Sequence, residues 1–167
     1  MARWVVGIDL GTTNSALAFV EAEAASNGDA KDKDAVSGWR IREFEIPQVV
    51  ALNEVAARPV LPSFWYRPAE SEFPVGALDC PWDATKGEGA SRLVGTFARD
   101  QGTKVPGRVV VSSKSWLCHP GVDRQAAILP WTAAEDVAKV SPVESARVFL
   151  DHLRMAWNHA HVANASP

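Results

Sequence analysis

The sequence predicts a protein of the α/β or α+β class, because strand patterns open the chain and a helical pattern closes it. Two short apolar runs, residues 4–9 and 15–20, flank a turn at residues 11–14 and predict a β-hairpin. Residues 39–46 alternate apolar and polar side chains, which predicts a third, half-buried strand. We therefore expect an antiparallel start to a sheet, an irregular middle and a final helix.

The first strand is expected to be buried, since residues 4–9 form a nearly continuous apolar run. Residues 21–38 are rich in Ala, Asp, Lys, Gly and Ser and have no apolar periodicity. This composition predicts an exposed, mobile loop between the second and third strands.

The final helix has the clearest local signals in the chain. Ser141, Pro142 and Glu144 form a capping box with proline at the first helical position. We expect a helix over residues 142–160, followed by a loop at 164–167. Its predicted apolar stripe consists of Val143, Ala146, Phe149, Leu150, Leu153, Trp157 and Ala160.

The middle of the chain is irregular, with five prolines between residues 59 and 91. A short strand is predicted at 63–67 and a short helix at 94–101. Residues 109–118 fit either a helix or a strand, because a β-branched start is followed by Trp116 and Leu117.

Composition argues against several functional classes. The chain has 167 residues, 47% of them hydrophobic, and a net charge of -3, which gives no reason to expect nucleic acid or an anionic membrane as partner. No apolar run approaches the length of a transmembrane helix. Cys80 and Cys118 fit no metal spacing and are interpreted as reduced thiols of a cytoplasmic protein. The four histidines are interpreted as surface residues.

The turn after the first strand carries the candidate chemistry. Gly11 has no side chain, so the backbone there can approach an anion closely, and Thr12, Thr13 and Asn14 add polar side chains. A carboxylate such as Asp9 beside phosphates needs a cation between them, and Mg²⁺ suits one carboxylate plus phosphate oxygens. The alternative is a hairpin turn in which Asp9 and Thr12 only satisfy backbone groups.

Residues 7–15, Gly-Ile-Asp-Leu-Gly-Thr-Thr-Asn-Ser, resemble the first phosphate motif of the actin, hexokinase and heat shock protein 70 superfamily. The Asn-Ser ending is typical of the chaperone branch, that of the heat shock protein 70 (DnaK-type) family. Further segments resemble that family in the same order along the chain: residues 61–63, 93–95, 112–117 and 141–157.

The resemblance implies a ribonuclease H-like, actin-like ATPase fold, of which this chain would be part of the first lobe. Residues 1–53 and 141–167 would form the core subdomain and residues 54–140 a small inserted subdomain. The long 21–38 loop, an insertion at 74–91 and the less basic residues 116–119 depart from the family pattern. We therefore interpret the chain as a divergent member.

The resemblance also implies a role for each site residue. Asp9 would orient Mg²⁺-bound water, while Thr12, Thr13 and Asn14, with the Gly11 backbone, would hold the β- and γ-phosphates of ATP. A lysine at position 114 would reach the γ-phosphate and the attacking water. The alternative for Lys114 is a solvated surface lysine.

By resemblance the chain is the N-terminal fragment of an ATP-hydrolysing chaperone. Client polypeptides and co-chaperones would bind through parts that the sequence lacks, and ATP or ADP would bind here. We expect weak nucleotide binding and no substantial ATPase activity from these residues alone. Two alternatives stay open: a non-catalytic relative that binds nucleotide or partners, and a small-molecule kinase of the same superfamily.

Overall fold

The computed structural model describes residues 3–22, 40–133 and 135–161. The predicted loop at 164–167, and the part of the predicted 21–38 loop beyond Ala22, lie outside these residues. Within them the protein is mixed α/β, with small antiparallel sheets. The strands are β1 Trp4–Asp9, β2 Asn14–Glu21, β3 Arg42–Glu43, β4 Ile46–Ala51, β5 Glu54–Arg58, β6 Leu61–Pro62, β7 Phe64–Tyr66 and β8 Val109–Val111. The α-helices are α1 Thr96–Lys104, α2 Ser113–Leu117 and α3 Pro142–His161.

The predicted hairpin is present, and β2 is its central strand. β1 pairs antiparallel with β2, from Trp4 opposite Glu21 to Asp9 opposite Ala16. The other edge of β2 pairs with β3 and, next to the hairpin turn, with β6. Among the described strands, β1 is therefore an edge strand of this sheet.

The prediction that β1 is buried was wrong. Val5 is 48% exposed, Val6 37% and Ile8 45%. An apolar run predicts a buried strand only if other elements cover its faces, and among the described residues β1 lies at the edge of its sheet with these side chains uncovered.

The predicted third strand at 39–46 is also wrong as one element. Residue 39 lies outside the described part, and only Arg42–Glu43 pairs with β2. The chain then enters β4, which pairs with β5 in a separate two-stranded sheet. Alternation along the sequence identifies extended backbone but does not say which strand is the partner.

The irregular middle is organised around a third sheet. β7 pairs with β8, and Trp65 also forms a bridge with Val94. The ambiguous segment 109–118 contains both predicted elements, a strand followed by the short helix α2. The Gln48 side chain stabilises the N-terminus of α1. Its Oε1 accepts hydrogen bonds from the Thr96 backbone N–H and from Thr96 Oγ1, both at 2.9 Å.

Helix α3 begins and ends close to the predicted bounds. Ser141 Oγ accepts a hydrogen bond of 3.0 Å from the Glu144 N–H, as the capping box predicted. The predicted stripe is only partly right, because Val143 and Leu150 are exposed. The buried face consists of Pro142, Ser145, Val148, Phe149, His152, Leu153 and Ala156.

One end of α3 is fixed to the first sheet by aromatic side chains. The Trp157 ring stacks on His161 with centroids 3.7 Å apart, and its edge contacts with Trp4, Phe19 and Phe44 have centroids 5.0–6.0 Å apart. Trp157 thus packs against the first sheet, in agreement with its place in the predicted apolar stripe of α3.

Two groups of buried apolar side chains form the core. One lies between the first sheet, Trp65 and α3, and includes Phe19, Ile46 and Phe149. The other lies around α1 and includes Tyr66 and Phe97.

The interpretation of all four histidines as surface residues was wrong for His152, which is 5% exposed. Its Nε2 lies 2.9 Å from the Pro47 carbonyl oxygen, and its ring meets Trp82 edge to face with centroids 5.2 Å apart. His152 thus connects α3 to β4, through Pro47, and to the loop that contains Trp82. Both cysteines are free, and no helix of the described residues is long and apolar enough to cross a bilayer.

Candidate functional site: the turn between the first two strands

The turn between β1 and β2 closes tightly on Gly11. A Cβ atom built on Gly11 would lie 1.9 Å from the Asn14 carbonyl oxygen, well inside van der Waals contact. Glycine is therefore required here by the close approach of the backbone to itself. The sequence also predicted a close backbone approach at Gly11, but to a bound anion and not to the Asn14 carbonyl.

A distant residue, Ser63, holds this turn in place. The Ser63 N–H donates to the Thr13 carbonyl at 2.8 Å, and Ser63 Oγ donates to the Gly11 carbonyl at 2.9 Å. Ser63 Oγ also lies 3.1 Å from Ser15 Oγ, and both serines are buried. The turn is thus fixed by three hydrogen bonds before any ligand is considered.

The four polar side chains at this turn face solvent. Asp9, Thr12, Thr13 and Asn14 are all exposed. Within the described residues, none of these side chains makes a hydrogen bond or an ion pair, so the bonds that the alternative interpretation requires from Asp9 and Thr12 are not found there. Ser63 satisfies the Gly11 and Thr13 carbonyls, and the four exposed side chains are available to a ligand.

A groove of about 430 Å³ lies beside Asp9. Asp9 and Glu43 are its charged lining residues, and the other lining residues are apolar: Gly7, Ile8, Ala16, Leu17, Ala18, Pro59 and Val60. A cation at Asp9 would therefore sit beside a mainly apolar surface, with the exposed side of the ion open to solvent and to phosphate oxygens.

The side chains near the turn could supply only a small part of the ligands of a Mg²⁺ ion. Over residues 3–22, 40–133 and 135–161, His, Cys, Asp and Glu side chains form no group of three or more that could hold a metal ion. A Mg²⁺ ion at Asp9 would take most of its ligands from water and from phosphate oxygens, which is its usual mode with nucleotides.

Lys114 lies on a different element from the turn. It is exposed on α2, which packs against α3, and the described residues contain no hydrogen bond or ion pair that links it to residues 9–14. Ser112, just before α2, has φ 52° and ψ 27°, a left-handed conformation that is uncommon for serine. The structure thus brings Asp9 together with residues 11–14 and adds Ser63, while the role of Lys114 stays a prediction.

A larger cavity, about 660 Å³, lies away from every predicted site residue. Arg67, Arg92 and Arg147 line it together with Glu70 and Glu144. The Arg67 guanidinium lies over the Trp65 ring, 4.8 Å from the centroid. Size and charge make this cavity a competing place for an anion, and an experiment on nucleotide binding has to distinguish it from the turn.

Leu61, Pro62 and Ser63 resemble a family segment, but nothing in the sequence pattern predicts a role for Ser63 at the turn. The signal that could have found it is the short β6, whose Leu61 and Pro62 pair with Ser15 and Asn14. A two-residue strand is too short for periodicity to detect.

Neither protein-family models, nor curated proteins, nor solved structures gave a match to this chain. The heat shock protein 70 family and the actin-like ATPase fold therefore stay predictions from the sequence motifs.

Proposed function

We propose that the turn at residues 9–14 binds the phosphate groups of ATP together with Mg²⁺. The observation that carries this proposal is a tight turn, fixed by Ser63, whose exposed polar side chains have no partner among the described residues. A preorganised site of this kind binds a ligand without first ordering its own loop.

Each residue of the turn contributes a different group in this proposal. Asp9 supplies the carboxylate that holds Mg²⁺-bound water, and Thr12 and Thr13 supply hydroxyl donors to phosphate oxygens. Asn14 adds an amide donor. Gly11 allows the tight backbone path, which leaves no space for a Cβ.

Lys114 is proposed to act on the γ-phosphate from α2. An ammonium group on a flexible stem neutralises charge that develops during phosphoryl transfer. Its exposed side chain and the absence of a partner among the described residues are compatible with this role.

The whole-protein function that these residues favour is an ATP-driven chaperone of the heat shock protein 70 type, in the cytoplasm. ATP hydrolysis at this site would control binding of client polypeptides by another part of the protein. This part of the proposal depends on the resemblance of residues 7–15, 61–63 and 112–117 to that family.

The test uses ATP turnover in a full-length protein that contains this chain. Lys114→Ala should lower kcat by about 10²-fold or more, since it removes a group that stabilises transition-state charge. Lys104→Ala is the matched control, because Lys104 is also an exposed lysine at a helix in the same half of the chain. Equal turnover in the two variants would refute the role given to Lys114.

Two alternatives are separated by the fate of the γ-phosphate. With labelled ATP, a chaperone ATPase releases inorganic phosphate, whereas a small-molecule kinase transfers the label to another compound. Stoichiometric binding of Mg²⁺-ATP without turnover would favour the non-catalytic relative.

A further inference from the structure

The cavity of about 660 Å³ carries charged side chains of both signs. Its wall consists of the segment that follows β7, residues 90–92 and the first turns of α3, and its lining includes Trp65. The volume lies in the range of sites for small ligands. None of the residues that line it belongs to the turn at residues 9–14, so a ligand here is independent of the proposed nucleotide site.

Two of the three arginines that line the cavity are paired within the chain. Arg92 pairs with Asp83 and with Glu88, and Arg147 pairs with Asp151. The positive charge of these two guanidinium groups is therefore already balanced by carboxylates. An incoming anion gains less from such a paired cation than from a free one.

The charged groups of the cavity that have no partner are one guanidinium and two carboxylates. In the described part of the chain, the side chains of Arg67, Glu70 and Glu144 form no hydrogen bond or ion pair. A ligand that complements them carries both an anionic and a cationic group. A triphosphate does not, because two free carboxylates oppose its negative charge.

Arg67 is held in place before any ligand binds. Its guanidinium lies over the Trp65 ring, 4.8 Å from the centroid, and Trp65 is itself 3% exposed with its Nε1 donating to the Ser91 carbonyl at 3.2 Å. The Arg67 N–H donates to the Arg108 carbonyl at 2.8 Å, and the Arg67 carbonyl accepts from Arg108 Nη1 at 3.2 Å. A guanidinium fixed in this way loses little freedom when it binds a carboxylate, which it can hold by two parallel hydrogen bonds.

We propose that this cavity binds a basic amino acid with a free carboxylate, either alone or as the last residue of a polypeptide. The Arg67 guanidinium holds the carboxylate, and Glu144 holds the cationic side chain, which a flexible aliphatic stem carries to it. Glu70 adds a second negative charge to the same cavity. Glu144 is in the first turn of α3, where the hydrogen bond from its N–H to Ser141 Oγ fixes its backbone.

The experiment titrates the full chain with acetyl-Ala-Ala-Lys by isothermal calorimetry. This peptide carries only a side-chain ammonium and a terminal carboxylate. We expect binding that Arg67→Gln and Glu144→Gln each weaken by about three- to tenfold, because each removes one charged contact. Arg58→Gln and Glu54→Gln are the matched controls, since both residues are exposed on β5 and neither lines the cavity. They should leave the affinity unchanged, and thermal melting establishes that every variant is folded.

Two altered peptides test which group of the ligand meets which residue. Amidation removes the carboxylate, and norleucine in place of lysine removes the ammonium. Amidation should weaken binding to the native chain by about three- to tenfold but have little effect in Arg67→Gln. Norleucine should behave in the same way with respect to Glu144→Gln.

Free lysine distinguishes the two sources of the ligand. Lysine that binds as tightly as the peptide assigns the cavity to a free amino acid, and a tighter peptide assigns it to the end of a polypeptide. Absence of binding by both probes at millimolar concentration, equal affinities of the cavity variants and the β5 variants, or a full effect of amidation in Arg67→Gln would overturn the proposal.

Discussion

The buried His152 should make the protein lose stability in mild acid. Burial lowers the pKa of His152 from 6.5 to about 4, against the opposing effect of its hydrogen bond to the Pro47 carbonyl. Arg92 lowers the pKa further, and Trp82 covers the ring. The folded protein therefore keeps this imidazole neutral at pH values where the unfolded chain protonates it.

The sign and size of the effect follow from proton linkage. The contribution is fully present above pH 6.5 and is lost as the pH falls towards about 4, because only the unfolded state gains the proton in that window. One pKa unit corresponds to about 1.4 kcal/mol, so the total loss is about 3 kcal/mol. That is a large part of the stability of an ordinary domain.

Urea unfolding between pH 4 and pH 7 measures this loss. His152→Gln is the matched variant, since an amide can still donate to the Pro47 carbonyl but does not titrate in this range. We expect the free energy of unfolding to fall more steeply with acid in the native protein than in the variant. Parallel curves would refute the assignment of this pH dependence to His152.

Two further substitutions test single contacts of the fold by the same urea assay. Gly95→Ala should lower the free energy of unfolding by about 2–3 kcal/mol, because Gly95 has φ 90° and its new Cβ would lie 2.5 Å from Gln48 Oε1. Gly121→Ala is the control. A Cβ at Gly121 would have no contact closer than 3.5 Å and Gly121 has no positive φ, so this change should alter the free energy of unfolding by less than about 0.5 kcal/mol. Ser141→Ala should cost about 1 kcal/mol, because the Glu144 N–H loses its acceptor at the start of α3. Equal effects of the two glycine substitutions, or no effect of Ser141→Ala, would contradict these assignments.

Only some of the local elements were predictable from the sequence, since the strand predicted at 39–46 does not form one element. The hairpin and α3 lie where periodicity and capping residues place them, because both signals depend on residues only a few positions apart. Burial was less predictable. The buried face of α3 contains Ser145 and His152. A search for apolar periodicity assigns such polar residues to the exposed face, so it misses them.

The candidate site was predictable in its first half only. Asp9 and residues 11–14 lie within six positions of one another, so one motif identifies them. Ser63 lies 52 residues from Gly11 along the chain, and its contact with the turn depends on how β6 pairs with β2. No local pattern gives that pairing, and the same holds for the contact between Gln48 and α1.

The central claim is that the turn at residues 9–14 binds the phosphates of ATP. Titration of the chain with Mg²⁺-ATP, followed by amide chemical shifts in NMR spectra, tests it most directly. We expect the largest changes at Gly11, Thr12, Thr13 and Asn14, and we expect them to be lost in Asp9→Asn. Changes concentrated around the cavity of Arg67 and Arg147, with the turn unaffected, would contradict it.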